Sequence, residues 1–182
     1  MARMSRIVVP GLAHHITQRG NRRLKTFFSD KDYREYIKLM SEWCGKYKIK
    51  ILAYCLMPNH IHLVWMGLRR DTDQKNGMKF LREHIVPQLR PHRFQHQAHD
   101  HVLRAEQRKR NAFAKLCFYI MDNARKEGVV EHPKEWKFCG AIIPGYPAMH
   151  PLEEEFWPKF WKIHSAALAP DAGKSRGRHS DL

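Results

Sequence analysis

Two histidines one residue apart, His60-Ile61-His62, follow directly on a Met57-Pro58-Asn59 turn. On a β-strand, side chains alternate between faces, so His60, His62, Val64 and Met66 share one face while Ile61, Leu63 and Trp65 share the other. The second set is strongly apolar and belongs against a core. Two imidazoles are then left side by side on a rigid platform, close enough to grip one divalent metal ion. Two nitrogens make an incomplete site, so a third donor must come from elsewhere in the chain or from a substrate oxygen. The same spacing also suits a surface pair with no function, and the surroundings have to decide.

A second group with chemical potential lies on a helix read over residues 106–128. Phe113, Leu116, Cys117, Ile120 and Ala124 recur at three- and four-residue steps and form its buried stripe. Tyr119 and Asn123 are one turn apart on the flank of that stripe, with Lys115 and Lys126 further round the same side. A phenol beside a carboxamide, flanked by lysines, suits work on a phosphate. It equally suits a boundary tyrosine and a solvated asparagine, and the spacing leaves both open. Near the start, Gln18-Arg19-Gly20-Asn21-Arg22-Arg23 sets three guanidinium groups on a glycine-containing loop, a composition fit for phosphate contact. A further histidine-rich stretch carries His96, His99 and His101; it reads as a partly exposed strand at a nucleic-acid surface, with a metal site as the competing reading.

The 182-residue chain has a formal net charge of +15 and a sequence pI near 9.9, which points to a polyanionic partner without saying what is done to it. At 43% hydrophobic and 11% aromatic residues it has the means to fold around a core. Cys44, Cys55, Cys117 and Cys139 include no C-x-x-C pair, which argues against a zinc ribbon or a disulfide framework. No apolar run approaches membrane-spanning length and no signal peptide opens the chain, so the expected setting is cytoplasmic, with no membrane partner.

The elements that must position these groups follow in order. Ala13–Thr17 reads as a strand. Ser29 opens a helix whose apolar positions Tyr33, Tyr36, Ile37, Met40, Trp43, Cys44 and Tyr47 keep helical spacing. Ile49–Leu56 and the histidine strand form an antiparallel hairpin. A second helix is expected over about residues 73–89 and a last strand within 93–103. Strand, helix, strand, strand, helix, strand is the ferredoxin-like split βαβ pattern. The expectation is therefore an α+β fold with an antiparallel sheet, helices on one face, and the Tyr119 helix after that core. One domain is expected over residues 5–145, with a C-terminal extension docked on it over 146–168 and a disordered basic tail over 169–182.

With those residues in hand, the sequence resembles the single-tyrosine transposases of the HUH superfamily, and in particular the REP-associated tyrosine transposases. The resemblance rests on Pro10-Gly11-x-x-His14-His15-Ile16-Thr17-Gln18-Arg19-Gly20-Asn21-Arg22, Phe27-Phe28-Ser29-Asp30, Met57-Pro58-Asn59-His60-Ile61-His62-Leu63-Val64 and Tyr119-Ile120-x-x-Asn123. It implies a nuclease and strand transferase acting on single-stranded DNA with hairpin or palindromic repeats, working as a monomer or homodimer. It implies Mg²⁺ or Mn²⁺ held by His60, His62 and Asn123, Tyr119 as the nucleophile that becomes a 5′-phosphotyrosine, and DNA contacts from Arg19, Asn21, Arg22, Arg23, Lys115 and Lys126. One departure stands out: the family commonly follows the asparagine with proline, and here Ala124 lets the helix run on toward Glu127. The other reading is a basic DNA- or RNA-hairpin-binding protein of the same fold without catalysis.

Overall fold

The computed structural model describes residues 13–68, 72, 76, 94–95, 99–103 and 110–168. Its strands are β1 (Ala13–Arg19), β2 (Ile49–Met57), β3 (His60–Gly67), β4 (His99–Val102) and β5 (Cys139–Ile142). They form one antiparallel sheet in the order β4-β1-β3-β2-β5. The first four strands carry the split βαβ order, with β3 inserted between β1 and β2. The α+β expectation is met in this arrangement. β5 was not foreseen; it adds at the β2 edge after the ferredoxin-like part of the sheet is complete.

Helix α1 (Asp30–Tyr47) follows Ser29, and the Asp32 carboxylate accepts from the Phe28 N–H at 2.7 Å and the Ser29 N–H at 3.1 Å. It runs through Gly45 and ends at Lys48, which is left-handed. Its buried face, with Tyr33, Tyr36, Met40 and Trp43, packs with Ile16, Ile61, Leu63 and Trp65 on one side of the sheet. That is the apolar face which alternation assigned to β3. The second crossover helix expected over about 73–89 lies outside the described residues except for Asn76, which is helical, and the tail over 169–182 and His96 lie outside them as well.

The opposite side is covered by α2 (Arg110–Met121), the short α3 (Asn123–Lys126) and α4 (Phe156–Leu168). Phe113, Cys117, Ile120 and Ala124 join Phe156, Phe160 and Ile163 over Val64, Met66, Cys55 and Met57. The sheet is thus a middle layer, with the α1 crossover on one face and the Tyr119 helix on the other. Burying both faces explains why every residue of β2 and β3 is buried. Among the described residues, no helix is long and apolar enough to cross a membrane.

Candidate metal and nucleophile site

His60 and His62 lie on the sheet face that α2 and α3 cover. Their rings are 4.9 Å apart, nearly perpendicular, and each residue is 8% exposed. Pairing between strands decides what surrounds them. β1 places Arg19 opposite His60, Thr17 opposite His62 and His15 opposite Val64. β4 places His99 opposite Thr17 and His101 opposite His15, so the second histidine-rich segment shares this face, two strands away from His62.

Each ring has one nitrogen held by the protein. The Asn59 carboxamide oxygen lies 2.6 Å from His60 Nδ1, and since that oxygen can only accept, Nδ1 carries the proton. His60 Nε2 is left with its lone pair. His62 Nδ1 lies 3.1 Å from the Thr17 hydroxyl and 3.4 Å from His15 Nε2, whose ring stacks on that of His62. The Thr17 hydroxyl can accept a hydrogen bond from Nδ1–H, which would leave the His62 Nε2 lone pair available as well. Holding one ring nitrogen so that the other faces a ligand is the usual support for a metal-binding histidine. Burial also keeps both rings neutral: it lowers the His60 pKa, and it lowers that of His62 to about 3, with the neighbouring His60, His15 and Arg19 adding to the effect.

The tyrosine helix meets this pair at its far end. Asp122 interrupts the regular geometry, yet the Asp122, Lys126 and Glu127 N–H groups still bond back to the Phe118, Asp122 and Asn123 carbonyls. Tyr119, Asn123 and Glu127 therefore succeed one another at four-residue steps along one stripe. Glu127 Oε1 reaches within 3.5 Å of His60 Nε2. Asn123 is buried, and its Nδ2 donates to the Tyr119 and Ile120 carbonyls at 3.1 and 3.0 Å. Its carbonyl oxygen is the atom left for a ligand. Tyr119 is half exposed, with Lys126 Nζ 4.0 Å from its ring centre and 3.5 Å from Asp122. Lys115 is exposed on α2, one turn before Tyr119.

The donor chemistry suits a divalent cation: two neutral imidazoles presenting Nε2, a carboxylate beside one of them, and a carboxamide oxygen on the same helix. Among the described residues, no three His, Cys, Asp or Glu side chains are grouped as a ready-made metal cluster.

The arginine loop is stapled to the same turn. The Gly20 N–H donates to the Asn59 carbonyl at 2.6 Å, and the Thr26 N–H to the Pro58 carbonyl at 2.7 Å. Asn21, Arg22 and Arg23 are all exposed in a 3₁₀ turn, and Arg22 and Arg23 both hold positive φ. Arg19 is exposed at the end of β1. The structure thus brings Arg19, Asn21, Arg22 and Arg23 to the edge of the histidine pair, with Asn123 and Lys126 on the helix above. Sequence reading passed over Glu127, His15 and the side-chain role of Asn59. For Asn59 the signal was present, since the residue next to a candidate ligand is well placed to orient it.

The family model described as "Transposase IS200 like" matches residues 8–103, just over half of the chain. Among solved structures, a REP-associated tyrosine transposase bound to a REP hairpin is similar at 19% identity with a TM-score of 0.63, over 76% of this chain and 82% of that one. A putative transposase from Deinococcus radiodurans R1 is matched at 14% identity and a TM-score of 0.34, over 93% of this chain and 100% of that one. No curated protein matches. The match that runs from before β1 through the histidine strand to the end of β4 makes this chain a member of the IS200-like transposase family.

Proposed function

We propose that this protein cleaves and rejoins single-stranded DNA beside hairpin-forming repeats, with Tyr119 as nucleophile and His60 and His62 as the fixed ligands of Mg²⁺ or Mn²⁺. The observation that carries the reading is the shared layer: the helix bearing Tyr119 covers the face from which both histidines project, and its last turn touches His60 through Glu127. The hairpin-bound relative supports a folded DNA end as the substrate.

In this scheme Tyr119 Oη attacks phosphorus, the bond to the 3′ oxygen breaks, and a 5′-phosphotyrosine forms as a 3′-hydroxyl leaves. One phosphodiester replaces another, so a second 3′-hydroxyl can reverse the step and join strands. A divalent cation would polarise the scissile phosphate and offset charge developing on it. His60 and His62 would hold it through Nε2, with the Glu127 carboxylate beside His60 and the Asn123 oxygen one turn earlier on the stripe as candidate oxygen donors. The ammonium of Lys126, over the Tyr119 ring, adds positive charge where a phosphate must approach. Arg19, Asn21, Arg22 and Arg23 would hold the DNA backbone, and Lys115 would extend that track along α2.

The test is a labelled hairpin with a single-stranded flank, incubated with Mn²⁺ and run on a denaturing gel. A protein–DNA adduct is expected. Tyr119→Phe should abolish it while leaving DNA binding within about twofold. Binding with no adduct in the wild type would leave a hairpin-binding protein. An adduct surviving in Tyr119→Phe would move the nucleophile, with the exposed Tyr146 next in line.

A further inference from the structure

The last strand of the sheet sets two thiols side by side. β5 pairs with β2 in a register that puts Cys139 directly opposite Cys55, and one step along the Leu56 N–H donates to the Phe138 carbonyl at 3.0 Å. Positions alternate between hydrogen-bonded and open on an antiparallel ladder, so Cys55 and Cys139 fall at an open one, where Cα atoms approach to about 4.5 Å. Directly opposed side chains project from the same face. Both cysteines accordingly lie buried in the layer under α2 and α4. A disulfide needs a Cα separation of roughly 4.4–6.8 Å, and this position falls inside that range as the strands stand.

The surroundings single out Cys139 as the sulfur that reacts first. All four cysteines are free thiols. The Cys139 S–H donates to the Trp136 carbonyl at 2.9 Å, and His150 Nε2 lies 3.4 Å from the same sulfur. His150 Nδ1 accepts the Leu152 N–H at 3.2 Å, so Nε2 carries the ring proton and faces the sulfur as a donor. Such a donor favours the thiolate, which is the reacting form. Burial works the other way: it pushes both thiols up, that of Cys139 to about 12, so the chemistry is slow. The Cys55 sulfur lies 3.6 Å from that of Met57, a weak contact that is readily given up.

We infer that Cys55 and Cys139 form a dithiol site that peroxide closes to a disulfide across the β2–β5 ladder. The Cys139 sulfur gives an electron pair to one peroxide oxygen, the O–O bond breaks, and a sulfenic acid and water result. The Cys55 sulfur then attacks the Cys139 sulfur. The S–S bond forms, the S–O bond breaks, and the oxygen leaves as water with the Cys55 proton. Both thiols are oxidised and the peroxide is reduced to water. The covalent ring so closed runs over residues 55–139 and contains His60, His62 and Tyr119. Cys55 stands opposite His62 on β3, so the bond is made one strand away from the histidine pair. This inference does not depend on the DNA reading.

The test treats the reduced full chain with hydrogen peroxide, caps the remaining thiols with a maleimide under denaturing conditions, and reads intact mass and a peptide map. Two of the four thiols should be lost, with a mass lower by two hydrogens and a linked peptide pair containing Cys55 and Cys139. Dithiothreitol should reverse all of it. Cys55→Ser and Cys139→Ser should each abolish the link, and Cys44→Ser should keep it. The Tm of the wild type should rise on oxidation, because a loop this long is restricted in the unfolded chain. The map of the wild type decides the matter even where a serine variant fails to fold. Four thiols retained, oxygen added to sulfur without a link, or a link to Cys44, Cys117 or a second chain would overturn the site. So would a link that forms in urea and not in the folded protein.

Discussion

Asn59 is the sharpest place to test the site. Its carboxamide oxygen accepts a hydrogen bond from His60 Nδ1–H at 2.6 Å and so selects the tautomer that leaves the Nε2 lone pair free. In Asn59→Ala the ring can adopt either tautomer and either flip, so about one arrangement in four keeps Nε2 aimed and unprotonated. That alone weakens metal affinity about fourfold, or ~0.8 kcal/mol. Loss of the hydrogen bond also reduces the basicity of the ring, and removing such supporting partners typically costs 10–100-fold in metal affinity. The expected loss is thus at least tenfold, about 1.4 kcal/mol or more. Calorimetric titration with Mn²⁺ measures it without any DNA. Asn59→Asp offers a carboxylate to the same Nδ1–H and should bind at least as tightly as the wild type. Unchanged affinity in Asn59→Ala, or an equal loss in both variants, would refute the tautomer argument.

Other expectations follow from the same structure. Glu127→Gln should lower Mn²⁺ affinity, measured by the same titration, while a carboxylate serving only the folded protein would leave it unchanged. Because burial lowers the pKa of both His60 and His62, Mn²⁺ affinity should fall less between pH 7.5 and 6 than it would for a pair of exposed histidines; a loss as steep as that of free imidazole would refute the role of burial. Lys50 is fully buried, its Nζ 2.8 Å from His164 Nδ1, and burial lowers its pKa from 10.5 to about 8. The folded state then binds fewer protons than the unfolded one between those values, so the penalty is complete below pH 8 and lifts as pH rises toward 10.5. Lys50→Met should accordingly raise unfolding stability at pH 7 by on the order of 2 kcal/mol and flatten that alkaline rise, read by urea denaturation at several pH values. Gly20→Ala should destabilise by about 1–3 kcal/mol through its clash with the Leu24 carbonyl, seen as a lower Tm.

The hairpin and its two faces were legible because strand alternation is strict and the turn is short. α1 was legible because Ser29 and Asp32 mark its start and its aromatic stripe keeps helical spacing. β5 was not, since a four-residue strand containing Gly140 shows no alternation to read. The pairing of His15 and Thr17 with His62 depends on register between strands that are far apart in sequence. Glu127 escaped for a related reason: its contact with His60 requires both that the helix continue past Asp122 and that it dock on this face of the sheet. Spacing placed Tyr119 and Asn123 on one stripe, but only packing shows which layer that stripe joins.

The histidines stand on β3, which is bonded to a neighbour along both edges, whereas Tyr119 stands half in water on an outer helix. Losing the phenol disturbs almost nothing around it; losing either imidazole opens a hole in a packed layer. The tyrosine position is therefore the one of the three where substitution is tolerated most easily by the fold, and the paired rings are the ones it holds in place.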